Sequence, residues 1–191
     1  MRICVFCGSS TGRSGGYVAA AQLVGRRLAE RGVGVVYGGA QVGTMGALAN
    51  AALDAGGEVV GVIPEHLVDR EIAHPGLTDL HIVGSMHERK ARMAELSAAF
   101  LTLPGGAGTL EEFFEVWTWA QLGLHRKPVG LLDVDGFFQP LLACLDHMVG
   151  ERFLDPDLRA MLVVAPDVEG ALAGFDAYQP PPSKWAPAPA P

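Results

Sequence analysis

Apolar runs and helical patterns alternate along almost the whole chain. Short apolar stretches fall at residues 2–6, 34–37, 58–63, 80–83, 98–103 and 128–132, with a brief seventh at 162–164. Most are continuous rather than alternating in and out, which marks parallel strands covered on both faces. Between them, apolar positions recur at helical spacing over 17–31, 43–55, 86–96, 110–122 and 137–150. This order predicts an α/β fold, a Rossmann-like, doubly wound, mostly parallel sheet with helices on both faces. In such folds ligands sit beyond the carboxyl ends of the strands.

The pattern reads as a single domain over residues 1–178. Residues 179–191 are mostly Pro and Ala, with Lys184 and Trp185, and read as an extended tail that forms no core. Only 18% of the 191 residues are charged and 49% are hydrophobic, against about 25% charged in an average soluble chain. That excess of apolar surface predicts burial against a second copy. The net charge of −7 and the lack of a basic stripe argue against nucleic-acid polymers and anionic membranes as partners. A small anionic ligand stays open, because local N–H groups outweigh global charge. No leader pattern and no long apolar span stand out, which predicts a cytoplasmic protein.

Glycines then decide where the ligand goes. They follow three of the expected strands, in Phe6-Cys7-Gly8-Ser9-Ser10, in Tyr37-Gly38-Gly39-Ala40-Gln41-Val42-Gly43-Thr44-Met45-Gly46, and in Leu103-Pro104-Gly105-Gly106-Ala107-Gly108-Thr109-Leu110. A single glycine pair is no more than a tight turn. Three such turns at one sheet edge line a crevice with bare backbone, and a helix start behind the last one suits a phosphate. None is a Walker loop or a G-x-G-x-x-G fingerprint, which leaves ATP hydrolysis and dinucleotide redox chemistry without support.

Two charged segments flank the crevice. In Met86-His87-Glu88-Arg89-Lys90-Ala91-Arg92, basic residues open a helix against its dipole, which favours a functional reason over a merely solvated face. Glu88 and Arg92 are spaced to pair across one turn. Glu111, Glu112 and Glu115 follow the third loop and fit either ordinary first-turn acids or a general base or ribose acceptor. Phe113, Trp117 and Trp119 recur at helical spacing and read as core or subunit contacts. Cys4-x-x-Cys7 reads as buried strand residues rather than a redox pair or half a zinc site, and the six histidines form no ligand set, so no metal is expected.

Taken together, these segments resemble the Lonely Guy (LOG) family of cytokinin riboside 5'-monophosphate phosphoribohydrolases, long mislabelled as lysine decarboxylases. Residues 104–112 match its P-G-G-x-G-T-x-x-E signature, and the likeness runs through Gly61-Val62-Ile63-Pro64, Glu71-Ile72-Ala73-His74, Met86-His87-Glu88-Arg89-Lys90 and Thr118-Trp119-Ala120-Gln121 over roughly residues 2–165. The resemblance implies a homodimeric hydrolase that cuts the N-glycosidic bond of adenosine 5'-monophosphates, plain or N6-modified. The products are free base and ribose 5-phosphate, and no cofactor takes part. It places Arg89 and Glu112 in catalysis and the 5'-phosphate on Gly106, Gly108 and Thr109, helped by Ser9 and Thr118. It implies substrate contacts at Glu71, Lys90, Gly39, Gly105, Ala107, Leu110 and Glu111. Ala40 and Thr44 depart from the family pattern, which predicts an effect on base selectivity. A non-catalytic nucleotide carrier or sensor is the alternative for the same fold, and the Arg89–Glu112 combination speaks against it. A purely structural dimerisation module leaves the glycine crevices without a purpose.

Overall fold

A computed structural model describes residues 1–68 and 73–181. Glu71, Lys184 and Trp185 lie outside the described residues, as does most of the expected tail. Among the described residues, the strands are β1 (Arg2–Phe6), β2 (Gly34–Tyr37), β3 (Val59–Pro64), β4 (Asp79–Val83), β5 (Ala99–Thr102), β6 (Val129–Leu132) and β7 (Leu162–Ala165). The α-helices are α1 (Gly15–Glu30), α2 (Gly43–Asp54), α3 (Met86–Glu95), α4 (Ala107–Gln121), α5 (Gln139–Gly150), α6 (Pro156–Ala160) and α7 (Val168–Asp176). The strands form one sheet in the order β4-β3-β2-β1-β5-β6-β7, with every neighbouring pair parallel. The expected α/β architecture is the observed one. The order reverses between β1 and β5, so the loops that leave these two strands part and open a crevice there.

Strand alternation builds two cores. Ile3, Val5, Val35, Tyr37 and Leu101 face α1, α2 and α7. Cys4, Phe6, Val36, Val62 and Phe100 face α3, α4, α5 and α6. Cys4 and Cys7 are both buried, and their three-residue spacing puts them in opposite cores. Phe113 and Trp117 are core residues, and the Trp117 indole N–H donates to the Leu158 carbonyl at 3.3 Å. Trp119 is half-buried beside them.

Three details depart from the sequence pattern. Helix α4 begins three residues earlier than expected, because Gly106 serves as its cap and Ala107-Gly108-Thr109 form its first turn. First-turn N–H groups need no intrahelical partner, so a glycine costs little there. Helices α6 and α7 were not anticipated, although Asp155 followed by Pro156, and Asp167, are ordinary start signals. Glu88 does not pair with Arg92. Its carboxylate accepts the Gly84 N–H at 2.8 Å while Ser85 Oγ accepts the Glu88 N–H at 3.1 Å, a reciprocal cap, and Arg92 turns to Glu95 at 3.1 Å.

Two histidines hold loops together in the same way. His125 Nε2 lies 2.8 Å from the Val116 carbonyl, and its Nδ1 accepts the Lys127 N–H at 3.1 Å. His74 Nε2 lies 2.9 Å from Asn50 Oδ1, and its Nδ1 accepts the Gly76 N–H at 3.1 Å. Accepting at Nδ1 assigns the neutral Nε2–H tautomer to both. Burial lowers both pKa values below the usual 6.5. The unfolded chain then takes up these protons first as pH falls, so the stability they contribute is complete above 6.5 and is lost below it. Thermal melts should therefore shift to lower temperature between about pH 7.5 and about pH 5.5. His125→Gln should flatten that shift; a variant with the same pH dependence as the parent would contradict the assignment.

Candidate active site

The crevice at the carboxyl end of β1 and β5 holds an open pocket of about 260 Å³. Cys7, Gly8 and Ser9 from the β1 loop form one wall, and Gly106, Ala107, Gly108 and Thr109 from the start of α4 form another. Met45 from α2, Arg89 from α3 and Glu112 from α4 complete it. A larger groove of about 690 Å³ runs beside Phe153 at the α5–α6 connection. Its charged residues Arg152, Asp155 and Asp157 are exposed and no glycine loop borders it, so it has the weaker chemistry.

Close backbone contact fixes the walls. The Thr44 hydroxyl accepts the Gly8 N–H at 2.9 Å and donates to the Gly8 carbonyl at 3.0 Å. The Met45 N–H donates to the same carbonyl at 3.2 Å. Gly43 takes a left-handed φ of 61°, and a Cβ on it would lie 2.3 Å from Ser9. Thr44 is thus spent on holding two glycine loops together, and Ala40 is fully buried with its carbonyl accepting the Tyr37 hydroxyl at 3.2 Å. Neither residue lines this pocket, although Thr44 borders a second hollow that adjoins it.

The start of α4 is set up for an anion. Side chains cap α1, α3, α6 and α7; none caps α2, α4 or α5, and the first turn of α4, which alone of these three borders the pocket with open glycines, carries no acid. Gly106 and Gly108 have open space where a side chain would stand. Its N–H groups, with the positive end of the helix dipole, therefore face the pocket. Gly105 stands behind them: a Cβ there would sit 2.2 Å from Thr109 Oγ1.

Arg89 is buried, at 5% exposure, and is locked from below. Its Nε donates to the Val62 carbonyl and its Nη2 to the Gly38 carbonyl, both at 3.1 Å. A Cβ on Gly38 would lie 2.1 Å from Nη2, so only glycine admits the guanidinium. Glu112, half-buried, lies on the pocket wall with it. Burial pushes the Cys7 thiol up to about 12. It stays protonated and is no nucleophile. The pocket's chemistry rests on a carboxylate, a guanidinium and an array of N–H groups.

Other expected contacts lie elsewhere in the chain. The Lys90 ammonium lies 2.5 Å from Glu111 Oε1 and 2.9 Å from Glu115 Oε2. Burial lowers its pKa, but the hydrogen bonds to Glu111 and Glu115 outweigh that and leave it raised. Leu110 packs on the core, and Gly39 lies against β3 and β4 with a left-handed φ of 81°. Thr118 is exposed, roughly 13 Å along α4 from Thr109 at 1.5 Å per residue. Met45 and Cys7 were not expected as pocket walls. Nor were Tyr17 and Phe137, whose rings meet edge to face at 5.6 Å beside an adjoining hollow of about 270 Å³ that shares Gly8, Ser9 and Gly106 with the pocket. No motif marks the aromatic pair.

Comparison with known proteins agrees with this geometry. A family profile described as possible lysine decarboxylase matches residues 45–175. The chain is 54% identical over 174 residues to the cytokinin riboside 5'-monophosphate phosphoribohydrolase of Rhodococcoides fascians, covering 91% of this chain and 88% of that one. It is 51% identical to a probable enzyme of the same name, LOGL5, from Oryza sativa subsp. japonica, over 95% of this chain and 74% of that one. Among solved structures, the molybdenum cofactor carrier protein of Chlamydomonas reinhardtii superposes with a TM-score of 0.70 at 22% identity, covering 92% and 95% of the two chains, a likeness of fold alone.

The loop contacts are directly testable. Thr44→Val keeps the volume but strands the Gly8 N–H in a buried site, and should cost about 1–3 kcal/mol in denaturant unfolding. A cost near zero would mean that water satisfies Gly8 and that Thr44 does not hold the loops.

Proposed function

Because the chain belongs to the Lonely Guy (LOG) family of cytokinin riboside 5'-monophosphate phosphoribohydrolases, we propose that this pocket is where it separates base from sugar. It is a hydrolase of the N-glycosidic bond in adenosine 5'-monophosphates that carry an N6 substituent, giving the free base and ribose 5-phosphate. The observation that carries the assignment to this pocket is that one wall of N–H groups, one locked guanidinium and one carboxylate converge in it.

In this reading the 5'-phosphate rests on the first turn of α4, at Gly106, Gly108 and Thr109, with Ser9 opposite. The ribose then lies toward Glu112 and Arg89. Cleavage builds positive charge on the sugar, as in other glycoside hydrolyses. The Glu112 carboxylate stabilises that charge and takes the proton of the attacking water. Arg89 stabilises the negative charge that moves onto the departing base, and its two carbonyl anchors keep it aimed without reorganisation. A pocket of about 260 Å³ is below the usual range for nucleotide-sized ligands, so the base extends beyond it.

A homodimer belongs to the same reading. Support comes from Thr118, exposed on α4, and from the apolar side chains of Leu122, Leu124 and Phe153 left in solvent. The three free cysteines fit a cytoplasmic setting. No described helix is long and apolar enough to cross a membrane.

Incubation with AMP and with N6-prenylated AMP, followed by detection of free base, tests the reaction; release from neither, with nucleotide bound, rejects it. Glu112→Gln should lower kcat by about 10²–10⁴-fold while the protein stays folded. Unchanged turnover would remove Glu112 from the mechanism.

A further inference from the structure

Two side-chain groupings lie between α3 and α4, and they are built from adjacent residues. Arg89 and Glu112 face the pocket. Lys90 and Glu111, each one residue away and so turned by about 100°, meet outside it. Glu115, one turn beyond Glu111 on the same face, joins them. The Lys90 side chain is 7% exposed and that of Glu115 23%. Glu115 Oε2 is buried without a hydrogen bond of good geometry, so the Lys90 charge 2.9 Å away is what compensates it. Losing one member of such a cluster leaves a buried charge uncompensated.

The rest of the frame shows why a cluster is placed there. Helix α3 is secured at its start by the Ser85 and Glu88 caps and on the sheet by Met93. The start of α4 has no side-chain cap, with glycines at the cap position 106 and at 108 in the first turn. It lacks the capping bonds that hold α3, and it is the element that presents Glu112. Glu111 and Glu115 tie it down one turn in, to the residue next to Arg89.

We propose that the Lys90–Glu111–Glu115 cluster is a positioning clamp that sets the spacing of Arg89 and Glu112 across the pocket without itself touching substrate. This rests on the hydrolase reading above and reverses the substrate contacts that the resemblance implies for Lys90 and Glu111. A lysine already committed to two carboxylates has little to offer a phosphate. A shift of the α4 start by a fraction of an ångström is enough to misalign the two reacting groups.

Steady-state kinetics of base release from N6-prenylated AMP by the full chain tests the clamp. Lys90→Met should lower kcat by about tenfold to a hundredfold with KM changed by less than about threefold, and Lys90→Arg should recover most of the loss. A raised KM with unchanged kcat would show direct substrate binding and overturn the proposal, as would unaltered kinetics. If Lys90→Met does not fold, Glu115→Gln carries the same test, since it keeps the Lys90–Glu111 pair. It should lower kcat with KM unchanged; no change in kcat overturns the clamp. Amide hydrogen exchange gives a readout independent of activity. Faster exchange confined to the start of α4 in the Lys90 variant supports the clamp, and unchanged exchange there overturns it. Should the parent protein release no base, the hydrolase reading fails on its own and the exchange experiment still decides the clamp.

Discussion

The site depends on a buried guanidinium. Arg89 sits beneath the pocket floor with its Nε and Nη2 bonded to the carbonyls of Val62 and Gly38, at the carboxyl ends of β3 and β2. A charge taken out of water is costly unless hydrogen bonds replace its hydration. Here the sheet itself replaces part of it, with strand-end carbonyls that have no further strand to bond. That demand reaches back into the sequence. Gly38 has no room for a side chain, and α3 has to start where β4 delivers it so that its first turn overlies β3. A parallel sheet with a reversal of strand order at β1/β5 supplies the other half of the pocket, because the loops leaving these strands diverge there.

The N–H wall of the pocket is built by omission. At α4 no residue caps the helix, no acid sits in the first turn, and two glycines leave the N–H groups bare. The starts of α1, α3, α6 and α7 carry Ser14, Ser85, Asp155 and Asp167 instead; α2 and α5 share the missing cap but not the open glycine pair. Neighbouring contacts, Thr109 close over Gly105 and Lys90 against Glu111 and Glu115, hold this helix start in place of a side-chain cap. Bare N–H groups and stabilising ion pairs thus lie on different sides of one helix.

Much of this was legible in the sequence because buried parallel strands read as unbroken apolar runs, and Ile3-Cys4-Val5-Phe6 or Ala99-Phe100-Leu101-Thr102 have no competing interpretation. The glycine clusters located the strand ends, and the family motif singled out Arg89 and Glu112, which line one pocket. What was hidden follows from physical distance. The Lys90–Glu111 contact joins residues 21 positions apart, and helix periodicity says which way each points but not what stands opposite. Glu88 offered two partners at equal sequence cost, Arg92 and the Gly84 N–H, and the cap won. That the Thr44 hydroxyl turns onto Gly8, from a loop 36 positions away, is visible only in three dimensions. Tyr17, in the first turn of α1, and Phe137, just before α5, belong to no motif and meet only in three dimensions.

The account's central claim is a position: phosphate on the first turn of α4, sugar between Arg89 and Glu112. A crystal structure of the Glu112→Gln variant with N6-prenylated AMP bound measures it directly. The account predicts phosphate oxygens within hydrogen-bond distance of the N–H groups of residues 106–109 and the anomeric carbon facing residue 112. A nucleotide whose phosphate sits on Lys90, or in the groove beside Phe153, would contradict it.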